Sequence, residues 1–178
     1  MKQGIVLFST VILHCLSVVV IAETGSSGVS LDNLRIRKQI AGWREDKGSF
    51  TKFGPEKLFE LINGGAPEYI DQGMVRGFVQ RLSGPGSASV ELFAEDFGSP
   101  ENAGKMVQIK KQDRDTLISL PGFDTATVAV IPLIGAFVAY GSMNRFYFEI
   151  TLTGTGGTGS EALTELKKIF LFYRGFFE

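Results

Sequence analysis

Two strand-like runs, MVRGFVQRL (74–82) and SASVELFAE (87–95), flank Ser83-Gly84-Pro85-Gly86, and no other feature constrains the fold as tightly. A Gly-Pro-Gly link that short turns the chain back on itself, so the runs pair antiparallel. A parallel partner would need a crossover of roughly a dozen residues or more. In the second run Ala88, Val90, Leu92 and Ala94 share one side, and Ser89, Glu91, Phe93 and Glu95 the other. That alternation belongs to a strand with one dry and one wet face. Residues 145–152 repeat it, with Phe146, Phe148, Ile150 and Leu152 inward and Arg145, Tyr147, Glu149 and Thr151 outward. Thr125 to Leu133 and Gly135 to Tyr140 read as two more strands, and Gly141-Ser142-Met143-Asn144 as the turn of a hairpin. Short strands are also expected at Gln39 to Trp43 and Phe50 to Phe53, with Trp43 a core anchor.

Helices punctuate this pattern. Ser99-Pro100-Glu101 places a cap, a proline and an acid in their preferred order. Ala103, Met106, Val107 and Ile109 give that helix an apolar side, and Lys110, Lys111 and Arg114 read as its solvated, dipole-favoured end. Residues 115–124 connect it to the next strand. Ser160 opens the last helix, whose stripe is Leu163, Leu166, Ile169, Phe170 and Tyr173, and which ends at Arg174-Gly175. The order reads as a diverged duplication of a strand–strand–helix unit. The expected architecture is α+β, a two-layer sandwich with an antiparallel β-sheet and helices packed on one face.

Ahead of the first hairpin stands the segment LFELINGGAPEYIDQG (58–73). Pro55 suits a first helical position, Glu56 complements the helix N-terminus, and Leu58, Leu61 and Ile62 form a stripe with Phe59 beside it. Asn63 and Gly64 are residue types that take left-handed angles and end helices. Pro67 restarts the helix and Gly73 stops it. The candidate site residues are those of this corner: Asn63, Gly64, Gly65, Ala66, Glu68 and Tyr69. Two readings compete: a tight helix–helix corner whose glycines allow close packing, and an anion cradle of the 64–66 amides. Pro67 removes one donor and no cation follows closely, which favours the corner. A DNA-binding helix-turn-helix is disfavoured further by Glu56, Glu60, Glu68 and Asp71, which would face phosphates.

Residues 1–22 read as a targeting segment: Lys2, a nearly unbroken apolar run from Ile5, and Val20-Ile21-Ala22 before Glu23 as a cleavage site. The run is also about as long as the shortest membrane span, roughly 18 to 20 residues, so an uncleaved anchor stays open. Lipidation at Cys15 is disfavoured by His14 before it. Residues 23–38 read as a polar tether, and 39–178 as one α+β domain. Cleavage would remove one of 18 basic residues against 19 acidic ones, taking the net charge from −1 to −2. Without a basic run, neither nucleic acid nor a polybasic membrane contact is expected. Membrane contact is expected only through residues 1–22, if they are retained.

The only histidine, His14, and the only cysteine, Cys15, lie in that segment. A mature domain lacking both has no Ser-His-Asp or Cys-His catalysis, no histidine or thiolate zinc site, no histidine-held haem and no disulfide. No cofactor, metal or catalytic residue is assigned. Gly154-Thr155-Gly156-Gly157-Thr158-Gly159 spells a dinucleotide fingerprint, but that motif needs an open parallel sheet. Carboxylate pairs, a Ser-Lys dyad, tyrosine and oxygen-only metal sites remain; among the acids, Glu91 and Glu95 share a strand face that Glu68 or Asp71 could approach, a pattern that could serve glycosidic hydrolysis. A solvated acidic face is the competing reading. A calcium site lacks the D-x-D-x-D-G spacing.

The segments LFELINGGAPEY (58–69) with Gly73, SVELFAEDFGSPENA (89–103) and FYFEITL (146–152) resemble a family of exported bacterial proteins, a domain of unknown function. The resemblance covers about residues 40–152 and implies export and a single small α+β domain, with no catalytic residue to carry over. Many relatives have an aromatic residue after the alanine of the second segment, where this chain has Gly104. The expected function is that of a non-catalytic exported domain, periplasmic or secreted, binding an unidentified protein or small ligand. The alternatives are a membrane-anchored accessory subunit of an envelope complex and a carboxylate-dependent hydrolase.

Overall fold

The computed structural model describes residues 28–112, 116–155 and 159–178. The targeting segment, Arg114 and the middle of the glycine loop lie outside the described residues. In chain order come a 3-10 turn (Leu31–Leu34), β1 (Arg44–Glu45), β2 (Thr51–Phe53), α1 (Pro55–Ile62), a 3-10 turn (Asn63–Gly65) and α2 (Ala66–Asp71). Then follow β3 (Arg76–Ser83), β4 (Ser89–Asp96), α3 (Pro100–Lys111), β5 (Val128–Leu133), β6 (Ala136–Met143), β7 (Phe146–Thr153) and α4 (Gly159–Arg174).

The strands form one antiparallel sheet in the order β1-β3-β4-β7-β6-β5, with β2 also pairing β3. The expected hairpins β3–β4 and β6–β7 are both present, and β4 lies against β7 from Ser89↔Thr153 to Asp96↔Phe146. The last hairpin turns at Asn144, which holds φ +54, and not at Gly141, which lies within β6. Asparagine tolerates that left-handed angle better than most residues. The β5 edge is partly covered: Ile118 bridges Val130, and Pro132 has no amide hydrogen to offer.

The class is the expected α+β, but the helices take both faces of the sheet, making three layers where two were expected. On one face α4 buries Ala162, Leu166, Ile169, Phe170 and Tyr173 against Val90, Leu92, Ala94, Phe148 and Ile150. On the other, α2 and α3 bury Ala66, Tyr69, Ala103, Met106 and Val107 against Ile131, Val138, Tyr140 and Tyr147. The supposedly wet side of β7 therefore carries a fully buried tyrosine, Tyr147. Tyrosine reads as a surface residue in an alternation because it carries a hydroxyl, yet most of its surface is apolar.

Residues expected in the polar lead-in also belong to the core. Leu34 and Ile36 are fully buried, and the buried Gln80 side chain accepts from Ile36 N (3.2 Å) and donates to Ile36 O (3.1 Å). Trp43 is the anticipated anchor, buried against Gly84 with Nε1 donating to Glu165 Oε2 at 2.8 Å.

The corner departs from its expected mechanics. Its elements are as read, and Gly73 holds φ +85 after α2. Yet Asn63–Gly65 is a right-handed 3-10 turn, with φ −78 at Gly65, and none of its residues takes a left-handed angle. Close packing is not the reason for the glycines either: a Cβ on Gly64 would meet nothing within 4 Å, and on Gly65 only Ile62 Cδ1 at 3.8 Å. The α1 stripe is shallow, with Leu58 fully buried but Phe59 and Leu61 exposed.

Gly77, unremarked in the sequence, is the glycine that the packing requires. A Cβ there would lie 2.6 Å from Phe53 Cζ and 2.8 Å from Glu95 Cγ. We expect Gly77→Ala to destabilise the protein by about 1–3 kcal/mol, the usual scale of core overpacking. Gly64→Ala should be neutral or stabilising by about 0.4–1 kcal/mol, because it only restricts the unfolded chain. Denaturant melts of the two variants beside the parent would check both; equal effects would contradict this packing.

Candidate functional site

The corner, α3 and the sheet meet over a compact group of ionisable side chains. Register places them: Glu95 of β4 pairs Tyr147 of β7, and Tyr140 of β6 pairs Glu149 of β7. Successive side chains of a strand alternate, so Glu95, Tyr147, Glu149 and Tyr140 all face the α2–α3 layer. Tyr69 of α2 closes the group from above, its ring edge-on to Tyr147 at 6.1 Å, while Tyr147 stacks on Tyr140 at 6.5 Å.

Glu149 is the hub. Its Oε2 accepts from Tyr69 Oη at 2.6 Å and from Tyr147 Oη at 3.2 Å. Two hydroxyls on one carboxylate oxygen are charge-assisted contacts, stronger than neutral ones. Lys110 of α3 pairs with Glu68 of α2 and lies over the Tyr69 ring at 4.5 Å. That contact ties α2 to α3. It also corrects the reading of Lys110 as a solvated helix end, since its side chain is only 18% exposed.

Glu95 is the outlier. It is fully buried, and neither carboxyl oxygen has a hydrogen-bond partner. Burial, and then the nearby Glu149, push its carboxyl well above the usual carboxylate range, with Lys110 opposing them. Burial and Glu149 likewise push the hydroxyls of Tyr69 and Tyr147 far up, so both remain donors. The group can therefore hold a proton on Glu95. Neither Glu95 nor Glu149 lines the grooves beside β2, beside the Gly-Pro-Gly turn or beside α1, although Gly77, next to Glu95, lines the first of them.

Of the corner residues, the fold brings Glu68 and Tyr69 into this group and buries Ala66 beneath α2. Gly64 and Gly65 remain exposed in the turn, and Asn63 heads that turn. α2 has six residues and carries the acid Glu68 in its first turn, which disfavours an anion at the corner. Glu91 and Glu95 share a face as read, but not an environment. Glu91 binds Arg81 across the hairpin at 2.8 Å, Glu95 is buried, and Asp71 stays exposed. The picture of a solvated acidic face thus fails at Glu95.

The sequence reading missed Lys110, Tyr140, Tyr147 and Glu149 as members of one site. One signal was available. Lys110 falls three and four residues after Val107 and Met106, so it continues the buried stripe that starts at Ala103. The partners on β7 could be found only once the β4–β7 register was known.

The buried acid sets a pH dependence. Above the ordinary value of 4.5 the unfolded chain has released this proton while the folded chain still holds it. Folding then takes up a proton, so this contribution to stability falls as pH rises from 4.5 toward the raised folded value. Glu95→Gln keeps the shape without the charge. Its thermal stability should exceed the parent's at pH 8 by on the order of 1–3 kcal/mol, the desolvation scale of an unpaired buried group. The difference should shrink toward pH 5; a constant difference across that range would show that Glu95 is not the source.

Comparison with known proteins adds little to this geometry. No protein-family model and no curated protein matches the chain. Among solved structures it is similar to the extracellular domain of PknH from Mycobacterium tuberculosis, with 15% identity over 71% of this chain and 78% of that one, and a TM-score of 0.43.

Proposed function

We propose that the chain is a non-catalytic exported domain that binds a small ligand or a partner protein beside the helical corner. The observation that carries this reading is a groove of about 330 Å³ where α1 stops short of covering the sheet. Its walls are Leu61 of α1, Thr51 of β2, Val79 and Arg81 of β3, and Glu91 and Phe93 of β4. Val79 and Phe93 are half-buried and form a small apolar floor, while most of the accessible lining is polar, with the Arg81–Glu91 pair supplying a donor and an acceptor at its side. Polar groups set around a small apolar contact can fix a ligand's orientation. The buried acid Glu95 does not line this groove, which is why binding is preferred to carboxylate-driven hydrolysis.

Export rests on residues 1–22 and on the likeness of the corner and second segments to the exported family of unknown function. Among the described residues, no helix is long and apolar enough to cross a membrane. An anchored form would therefore use residues 1–22.

Two measurements test the two halves of the proposal. Mass analysis of protein purified from its native host should find a soluble chain beginning at Glu23. A membrane-bound chain that retains residues 1–22 would replace the free domain with an anchored one. A fragment screen read by amide chemical shifts should perturb Thr51, Val79, Arg81 and Phe93 as a cluster, and Leu61→Glu should abolish those shifts while leaving the fold intact. Hits that cluster elsewhere, or none at all, would remove the groove as a site.

A further inference from the structure

We propose that α2 is a proton-controlled lid: loss of the Glu95 proton transfers Lys110 from Glu68 to Glu95 and frees α2 from α3. The proton passes to water, and no covalent bond changes.

The first support is what covers Glu95. On its sheet side it meets Gly77 and Phe53, neither ionisable. On its sheet face stand Tyr147 and Glu149 of β7 and Tyr140 of β6; Tyr69 of α2 and Lys110 of α3 lie within electrostatic reach, and Lys110 also holds Glu68. Lys110 is the one cation in this group, and it now serves the more exposed of two acids: Glu68 is 39% exposed at its side chain, Glu95 fully buried. A charge on Glu95 in so dry a site would be costly unless paired. The cation whose charge acts on Glu95 is the one holding α2 down.

The second support is the unequal strength of the covers. The strands are fixed by full ladders on both sides of β4. α3 has twelve residues, a Ser99 cap and a fully buried stripe of Ala103, Met106 and Val107. α2 has six residues, too few to persist as a helix by themselves. It runs from a turn whose Gly64 and Gly65 are exposed to Gly73. Besides the burial of Ala66 and Tyr69, two polar ties hold it, Glu68 to Lys110 and Tyr69 to Glu149, and ionisation of Glu95 weakens both. It removes Lys110 from the first and sets a second negative charge beside Glu149 in the other. Of the elements above Glu95, α2 is the one that yields.

Hydrogen exchange on the full chain at pH 5 and pH 9, expressed as protection factors, reads this directly. The amides of Gly73 and Met74, which donate to Ile70 O and Tyr69 O, report on α2, and those of β4 report on the sheet. In the parent, protection over 69–74 should fall between pH 5 and pH 9 at least tenfold more than that of β4, whose own loss follows the global stability; in Glu95→Gln the two should not diverge. Equal protection of 69–74 at both pH values, equal loss in Glu95→Gln, or a matching loss in β4 would each overturn the proposal. Lys110→Met provides a check that does not need the Glu95 variant to fold. It should lower protection of 69–74 already at pH 5 with β4 unchanged, and parent-like protection there would also overturn it.

Discussion

The β4–β7 ladder is the contact on which the rest depends. It joins two hairpins far apart in sequence, so its formation closes a long loop before any local gain is complete. Once it forms, alternation decides everything above and below it. Val90, Leu92, Phe148 and Ile150 turn to α4, while Glu95, Tyr147 and Glu149 turn to α2 and α3. A one-residue slip in this pairing would put Glu95 and Glu149 on opposite faces of the sheet and break up both cores.

Local chemistry made much of the fold legible. The Gly-Pro-Gly link gave the first hairpin, Ser99-Pro100 the start of α3, and the spacing of Leu166, Ile169, Phe170 and Tyr173 the face of α4. The second helical layer was not legible, because it depends on reading Tyr147 and Glu95 as buried when their polar neighbours mark a wet face. Strand alternation reports polarity, whereas burial of a tyrosine or a lone acid is settled by whatever the chain later lays over it. The same holds for Leu34 and Ile36, whose place in the core depends on Gln80, 44 residues away.

The site was half legible. Glu68 and Tyr69 drew notice through the corner segment, but not for the contacts they make: the acid and the tyrosine beside the glycines reach α3 and the sheet. Glu95 drew notice as half of a pair with Glu91, and its actual acidic neighbour lies on another strand. Long-range register, which no local pattern encodes, separates these two pairings.

The covered β5 edge limits how this domain meets others. Ile118 already occupies part of that edge and Pro132 lacks an amide hydrogen, while β1 and β2 at the far side are two and three residues long. Such edges give an incoming strand few backbone partners. Sheet extension by a neighbouring copy or a peptide is thereby discouraged, which protects the chain from edge-to-edge aggregation. Recognition is left to side chains, so its specificity can change by surface substitution without disturbing the sheet.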